Sequence, residues 1–133
     1  MDESIRYDCD RDIYIRGIDR AECILYNPAI VSRHHIPDQG NKSNMSTLVS
    51  VYEKKLYQLR VFDKGILFSR QPPIRQFCKR AKGYELKWIA QHLASEQDYD
   101  RAAYYAREAL LVSPGLKWLG FTLYCLGRKV GGA

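Results

Sequence analysis

Carboxylates crowd the opening stretch "MDESIRYDCDRDIYIRG", at Asp2, Glu3, Asp8, Asp10 and Asp12. A carboxylate held at a helix start can sit within ~3 Å of a hydroxyl proton and act as a general base. The same position also suits a purely structural acid, because a helix N-terminus carries partial positive charge. By residue type Asp10 fits both roles. Arg16, four residues after Asp12, is read as its ion-pair partner. Arg33, His34 and His35 bring a guanidinium and two imidazoles to one short segment, as ligand contacts or as ordinary loop residues. Cys9, Cys23, Cys78 and Cys125 show no CxxC spacing and are too sparse for a disulfide framework, which points to a reducing compartment. Cys9 is too isolated to be read as a nucleophile.

The elements that must position these residues are set by periodicity and breakers. Residues 8–18 read as a short helix with Asp8 as N-cap and Ile13, Gly17 and Ile18 as its inward face. "ECILYN" has the content of a buried strand closed by Asn27-Pro28, "AIVSRHH" reads as a second extended piece, and residues 36–44 as a polar loop. An amphipathic helix is expected from about Met45 to Lys64, ending near Gly65, and Pro72-Pro73 separates it from the next helix. The remainder reads as a helix hairpin and a further helix. Tyr84, Trp88, Ala90 and Leu93 face inward on the first arm, and Asp98 caps the second. On that second arm Ala102, Ala103, Ala106, Ala109 and Leu110 allow close approach, and Ser113-Pro114-Gly115 ends it. Trp88 and Trp118 are read as core residues. The hairpin resembles a single tetratricopeptide-like unit, "DYDRAAYYAREALLVSP" being closest to pattern. One repeat cannot bury both faces, so it is expected to pack as an appendage on its neighbours. The fold class this implies is α+β, predominantly helical.

The 133 residues suit one modest core, with 46% apolar and 27% charged side chains. The formal charge of +6 arises from 21 basic and 15 acidic residues, and the basic excess gathers in "RQPPIRQFCKRAKGYELK". That single stripe has no stacked aromatics or nucleic-acid motif around it, so it reads as a solvated helical face and no nucleic-acid partner is expected. No basic n-region with an apolar h-region opens the chain, and a cytoplasmic location is expected. The apolar run from Leu116 to Leu126 is broken by Lys117 and Gly120 and falls short of the ~20 residues of a spanning helix. Peripheral contact at the inner face of a membrane stays open.

The opening stretch resembles the segment of family 2 glycosyltransferases, of the GT-A fold, that runs Phe-Asp-Glu, a few residues, Glu-Asp, one residue, Asp, and then an aromatic-rich turn ending in Arg. Asp2 and Glu3 match the first pair, Asp10 the Asp of the second, and Asp12, Tyr14 and Arg16 the turn. Cys9 stands where the family has Glu, and Met1 where it has Phe. "CILYNPAIVSRHHIPDQGNKSNMS" is similar to the family's next elements, a strand, a proline turn and an Arg-x-His element, with a longer loop.

The resemblance implies inverting transfer from a nucleotide-sugar donor to an acceptor hydroxyl of a glycan or a lipid-linked acceptor. It makes Asp10 the catalytic base, Arg33 and His34 substrate contacts, and His35 a contact to a divalent cation, Mn or Mg. It divides the chain into residues 1–44, the acceptor-side C-terminal edge of a GT-A α/β domain, residues 45–71, a connecting helix, and residues 72–133, the helical tail. The family's nucleotide-binding half has no counterpart here, so the isolated chain is expected to be an inactive fragment that exposes "CILY". A stand-alone helical protein-interaction module is the other reading.

Overall fold

The computed structural model describes residues 9–25, 28–29 and 49–131. They form five helices: α1 (Cys9–Arg20), α2 (Val51–Phe68), α3 (Pro72–Ser95), α4 (Tyr99–Val112) and α5 (Leu116–Gly131). The expected α+β class, with a GT-A edge of one or two strands, is therefore corrected: the described residues are all-helical and contain no strand. Residues 22–25, the start of the expected strand, are irregular, and Ile24 and Leu25 are exposed. Apolar, β-branched residues make a strand only where a neighbouring strand takes up their N–H and C=O groups. None is present among the described residues. Residues 30–35 of the second extended piece lie outside them.

The helix boundaries have local causes. Ser50 caps α2: the Glu53 N–H donates to Ser50 Oγ at 3.1 Å, and the Ser50 N–H donates to Glu53 Oε2 at 3.2 Å. The helix runs through Gly65 to Phe68. Gly65 is buried, and a Cβ built there would lie 2.4 Å from Cys78 Sγ, so this glycine permits close approach of α3 and does not end the helix. Pro72 and Pro73 occupy the first turn of α3, where a missing N–H costs nothing, and they open the helix they were expected to precede.

The α3–α4 turn closes as a Schellman motif. The Asp98 N–H donates to Leu93 O at 2.9 Å, the Gln97 N–H to Ala94 O at 3.1 Å, and Gln97 takes a left-handed φ of 64°. Asp98 then caps α4, accepting from the Arg101 N–H at 3.1 Å.

Three apolar groups fill the interior. Ile15 from α1, Val61 and Phe62 from α2 and Cys78 from α3 make the first. Leu86, Ala90, Ala106, Ala109 and Trp118 make the second, and Ile89, Leu93, Ala102, Ala103 and Cys125 the third. The alanine face of α4 lies between α3 and α5. Trp118 satisfies its indole by donating Nε1–H to Ala106 O at 2.9 Å. Tyr84, expected inward, is 73% exposed, one residue beyond the buried Gly83 on α3.

Candidate functional site

On α1 the inward face is Asp12, Ile15 and Asp19, all buried, whereas Ile13, Gly17 and Ile18 are exposed. Two aspartates thus hold the helix to its neighbours, which an apolar-periodicity argument does not anticipate. Asp12 pairs with Arg16, Nη2 to Oδ2 at 2.6 Å, and has Lys64 Nζ of α2 at 3.9 Å. Asp19 accepts the N–H groups of Arg70 at 2.8 Å and Gln71 at 2.9 Å, at the entrance to α3. Gln71 reciprocates, donating Nε2–H to Asp19 O at 2.8 Å and Ile18 O at 3.2 Å. Asp19 therefore acts as a remote cap for a helix whose own N-cap residue, Gln71, makes no side-chain cap.

The N–H donors of Gln71 and then Arg70 hold the Asp19 carboxyl below its ordinary value. A depressed folded-state value contributes stability above the unfolded value of about 3.9 that is lost as pH falls through the folded one. Asp19→Asn is expected to lower the melting temperature at pH 7 and to flatten its fall between about pH 5 and pH 3. A thermal melting series across that range checks this; an unchanged slope would remove Asp19 from the acid response.

Asp10 stands on the opposite side of α1. It is exposed, and its Oδ1 accepts the N–H of Arg11 at 2.9 Å. It shares this outer face with Ile13, Tyr14 and Ile18, exposed by 48%, 66% and 42%. Beneath α1, between Asp12, Asp19, Lys64 and Arg70, lies a cavity of about 80 Å³, far below the ~300–1,000 Å³ of ordinary ligand pockets.

Asp2, Glu3, Arg33, His34 and His35 lie outside the described residues, so Asp10 is the one expected site residue whose surroundings are seen. The divalent cation that the resemblance implies has no fit among the described residues. No group of three or more His, Cys, Asp or Glu converges there, and the buried carboxylates of α1 are already engaged by Arg16, Lys64 and two backbone N–H groups.

The helices also enclose a second concave surface. A groove of about 640 Å³ runs over α3 between α2 and α5, with Trp88, Trp118 and Phe121 in its lining and Lys55, Lys87 and Lys117 around them. Lys55 Nζ sits 5.7 Å from the Trp88 ring and pairs with Glu85 at 2.7 Å. Lys87 Nζ sits 5.6 Å from the Trp118 ring and donates to Ser113 Oγ at 3.0 Å. Trp118 is buried as expected, but Trp88 is only half-buried. Its position opposite Trp118 across the α3–α5 gap depends on the α4 crossover, and sequence spacing carries no signal for that.

No family model, curated protein or solved structure matches this chain.

Proposed function

We infer that this chain is the acceptor-side and C-terminal part of an inverting, family 2-like glycosyltransferase, with the nucleotide-binding half supplied by sequence outside these 133 residues. The resemblance of residues 1–35 supports the reading, and one observation in the structure carries it. Asp10 is exposed on the outer face of α1, while Asp12 and Asp19 of the same helix are taken up in docking it.

The chemistry rests on that division. α1 is fixed from behind by Asp12 and Asp19, which leaves the Asp10 carboxylate of its first turn on the other side. That carboxylate accepts the proton of the acceptor hydroxyl as the hydroxyl oxygen attacks the anomeric carbon. Ile13, Tyr14 and Ile18 beside it give an apolar surround once the donor-binding half covers this face, which keeps competing water away. Arg33, His34 and His35 keep the roles the resemblance implies, the first two toward the substrate and the third toward a divalent cation.

The test is the stereochemistry of transfer. With the intact enzyme and a panel of nucleotide sugars, NMR of the first-formed product should show the anomeric configuration opposite to the donor's. Retained configuration would exclude a single displacement with Asp10 as base.

The reading of the chain as a helical protein-interaction module draws on the aromatic groove between α2, α3 and α5. Under it, Trp88→Ala abolishes partner capture and Asp10→Asn has no effect on any activity.

A further inference from the structure

The basic residues of α3 and the aromatic groove share a border. A further cavity, of about 300 Å³, opens beside the groove where α3 meets the end of α4, and Gln76, Lys79, Arg80 and Ser113 are in its lining. Tyr84 and Lys87 line both spaces. The two volumes fall within the ~300–1,000 Å³ of ordinary ligand pockets. Gln76, Arg80, Tyr84, Lys87 and Gln91 follow one another at three- and four-residue spacing, so one stripe of α3 floors the whole cleft. Gly83 makes the junction possible. It is buried, and a Cβ there would lie 3.1 Å from Ser113 Cβ; the close approach it allows sets Ser113 Oγ 3.0 Å from Lys87 Nζ.

The two ends of the cleft differ in charge. Three cations line the smaller cavity, Lys79, Arg80 and Lys87, and no carboxylate among the described residues does. The C-terminal end of α4 brings only about half a negative charge to them. Lys87 is engaged with Ser113, but Lys79 and Arg80 are exposed and have no ion-pair partner among the described residues. The larger space is apolar and mixed in charge. Trp88, Trp118 and Phe121 line it, Glu85 is paired with Lys55 at 2.7 Å, and Gln91 adds an amide.

We propose that this cleft binds a nucleoside monophosphate, its phosphate among Lys79, Arg80 and Lys87 and its base and sugar along Trp88, Trp118 and Phe121. Arg80 and Trp88 are eight residues apart, ~12 Å along the α3 axis, a span that one nucleotide covers. A guanidinium beside two ammonium groups suits a phosphate dianion. Glu85 and Gln91 offer acceptors to the N–H and O–H groups that a base and a sugar carry and a plain hydrocarbon ring lacks. An oligonucleotide fits less well, because its further phosphates would meet Glu85 at the aromatic end, where Lys55 is already taken up. In the sequence the basic stripe reads as a solvated face because Trp118 and Phe121 join it only through the fold. Nothing in this site depends on Asp10 or on the transferase reading.

The chain has two tryptophans, Trp88 and Trp118, and both line the cleft, so their fluorescence reports its occupancy. The 133-residue chain is titrated with AMP, GMP, CMP and UMP, with the parent nucleosides and with inorganic phosphate. At least one nucleotide is expected to bind about tenfold or more tighter than its nucleoside and than phosphate. Lys79→Gln with Arg80→Gln should remove that advantage and leave nucleoside binding unchanged. Both side chains are exposed, so the circular dichroism melt should stay as in wild type. The single variant Arg80→Gln gives the same reading should the double variant melt early. Binding of every nucleotide weaker than about 1 mM overturns the proposal, as does an undiminished advantage in the variants. Phosphate that binds as tightly as the nucleotides would leave an anion site with no place for a base. A hexanucleotide, or the peptide Asp-Glu-Phe-Asp-Glu, that binds more tightly than every mononucleotide would assign the cleft to a polymer. Either result also overturns the proposal.

Discussion

If the proposed transferase reading holds, Asp10→Asn is expected to lower kcat for sugar transfer in the intact enzyme by about 10²–10⁴-fold, the usual worth of a positioned general base. The donor's Kd should stay unchanged, because the base acts on the acceptor hydroxyl and its contribution appears only in the transition state. Stability should hold as well. Asp10 is exposed, and an amide retains the oxygen that accepts the Arg11 N–H. The companion substitution Asp12→Asn should behave in the opposite manner. That carboxylate is buried against Arg16 and Lys64, so its loss loosens α1 before it touches chemistry. Steady-state kinetics with donor binding measured separately resolves the two. Turnover within a few-fold of wild type in Asp10→Asn would remove this residue from the mechanism.

Gly65→Ala should destabilise the bundle by about 1–3 kcal/mol, the ordinary cost of overpacking a filled site. In a helix interior the same change normally gains ~1 kcal/mol, so the sign itself is diagnostic. The new methyl would stand 2.4 Å from Cys78 Sγ and 3.5 Å from Ile15 Cγ2, where α1, α2 and α3 meet. Cys78 has no exposed surface and belongs to the same apolar group as Ile15, Val61 and Phe62, so its sulfur has nowhere to swing. Cys78→Ala alone should also destabilise, by leaving a small cavity. Together the two should be less harmful than their sum by about 1 kcal/mol or more, because removing Sγ leaves a Cβ contact of 3.3 Å. Urea unfolding of the four proteins in the cycle measures this. Strict additivity would mean that the helices move apart instead of clashing.

These two residues also mark how far the sequence can be read. Helix periodicity with strong breakers serves well in the second half. The Asp98 cap, the buried alanines of α4, the pairing of Arg16 with Asp12 and the burial of Trp118 all follow from spacing. Each is set by local geometry or by one face of one helix. Spacing fails where a distant segment decides. "CILY" has strand composition but no strand beside it among the described residues. Gly65 looks like a helix terminator until α3 is seen passing over it. Apolar periodicity inverts the face of α1, because the backbone N–H groups of Arg70 and Gln71 select Asp19 for the inside. The Ser50-x-x-Glu53 capping box is a readable signal for the start of α2 that apolar spacing alone passes over. At the candidate site, the acid itself is legible. Its isolation from the other two acids of α1 is not.

The helices follow one another in space in the order they follow along the chain: α1 packs on α2, α2 on α3, α3 on α4 and α4 on α5. From α2 to α5 the contacts between neighbours close short loops, so little chain entropy is lost before each one forms, whereas residues 21–50 separate α1 from α2. The order also suits a chain leaving the ribosome, where every helix after α1 meets a partner already made. α5 is the last of the described helices to emerge, and it packs on α4, which precedes it.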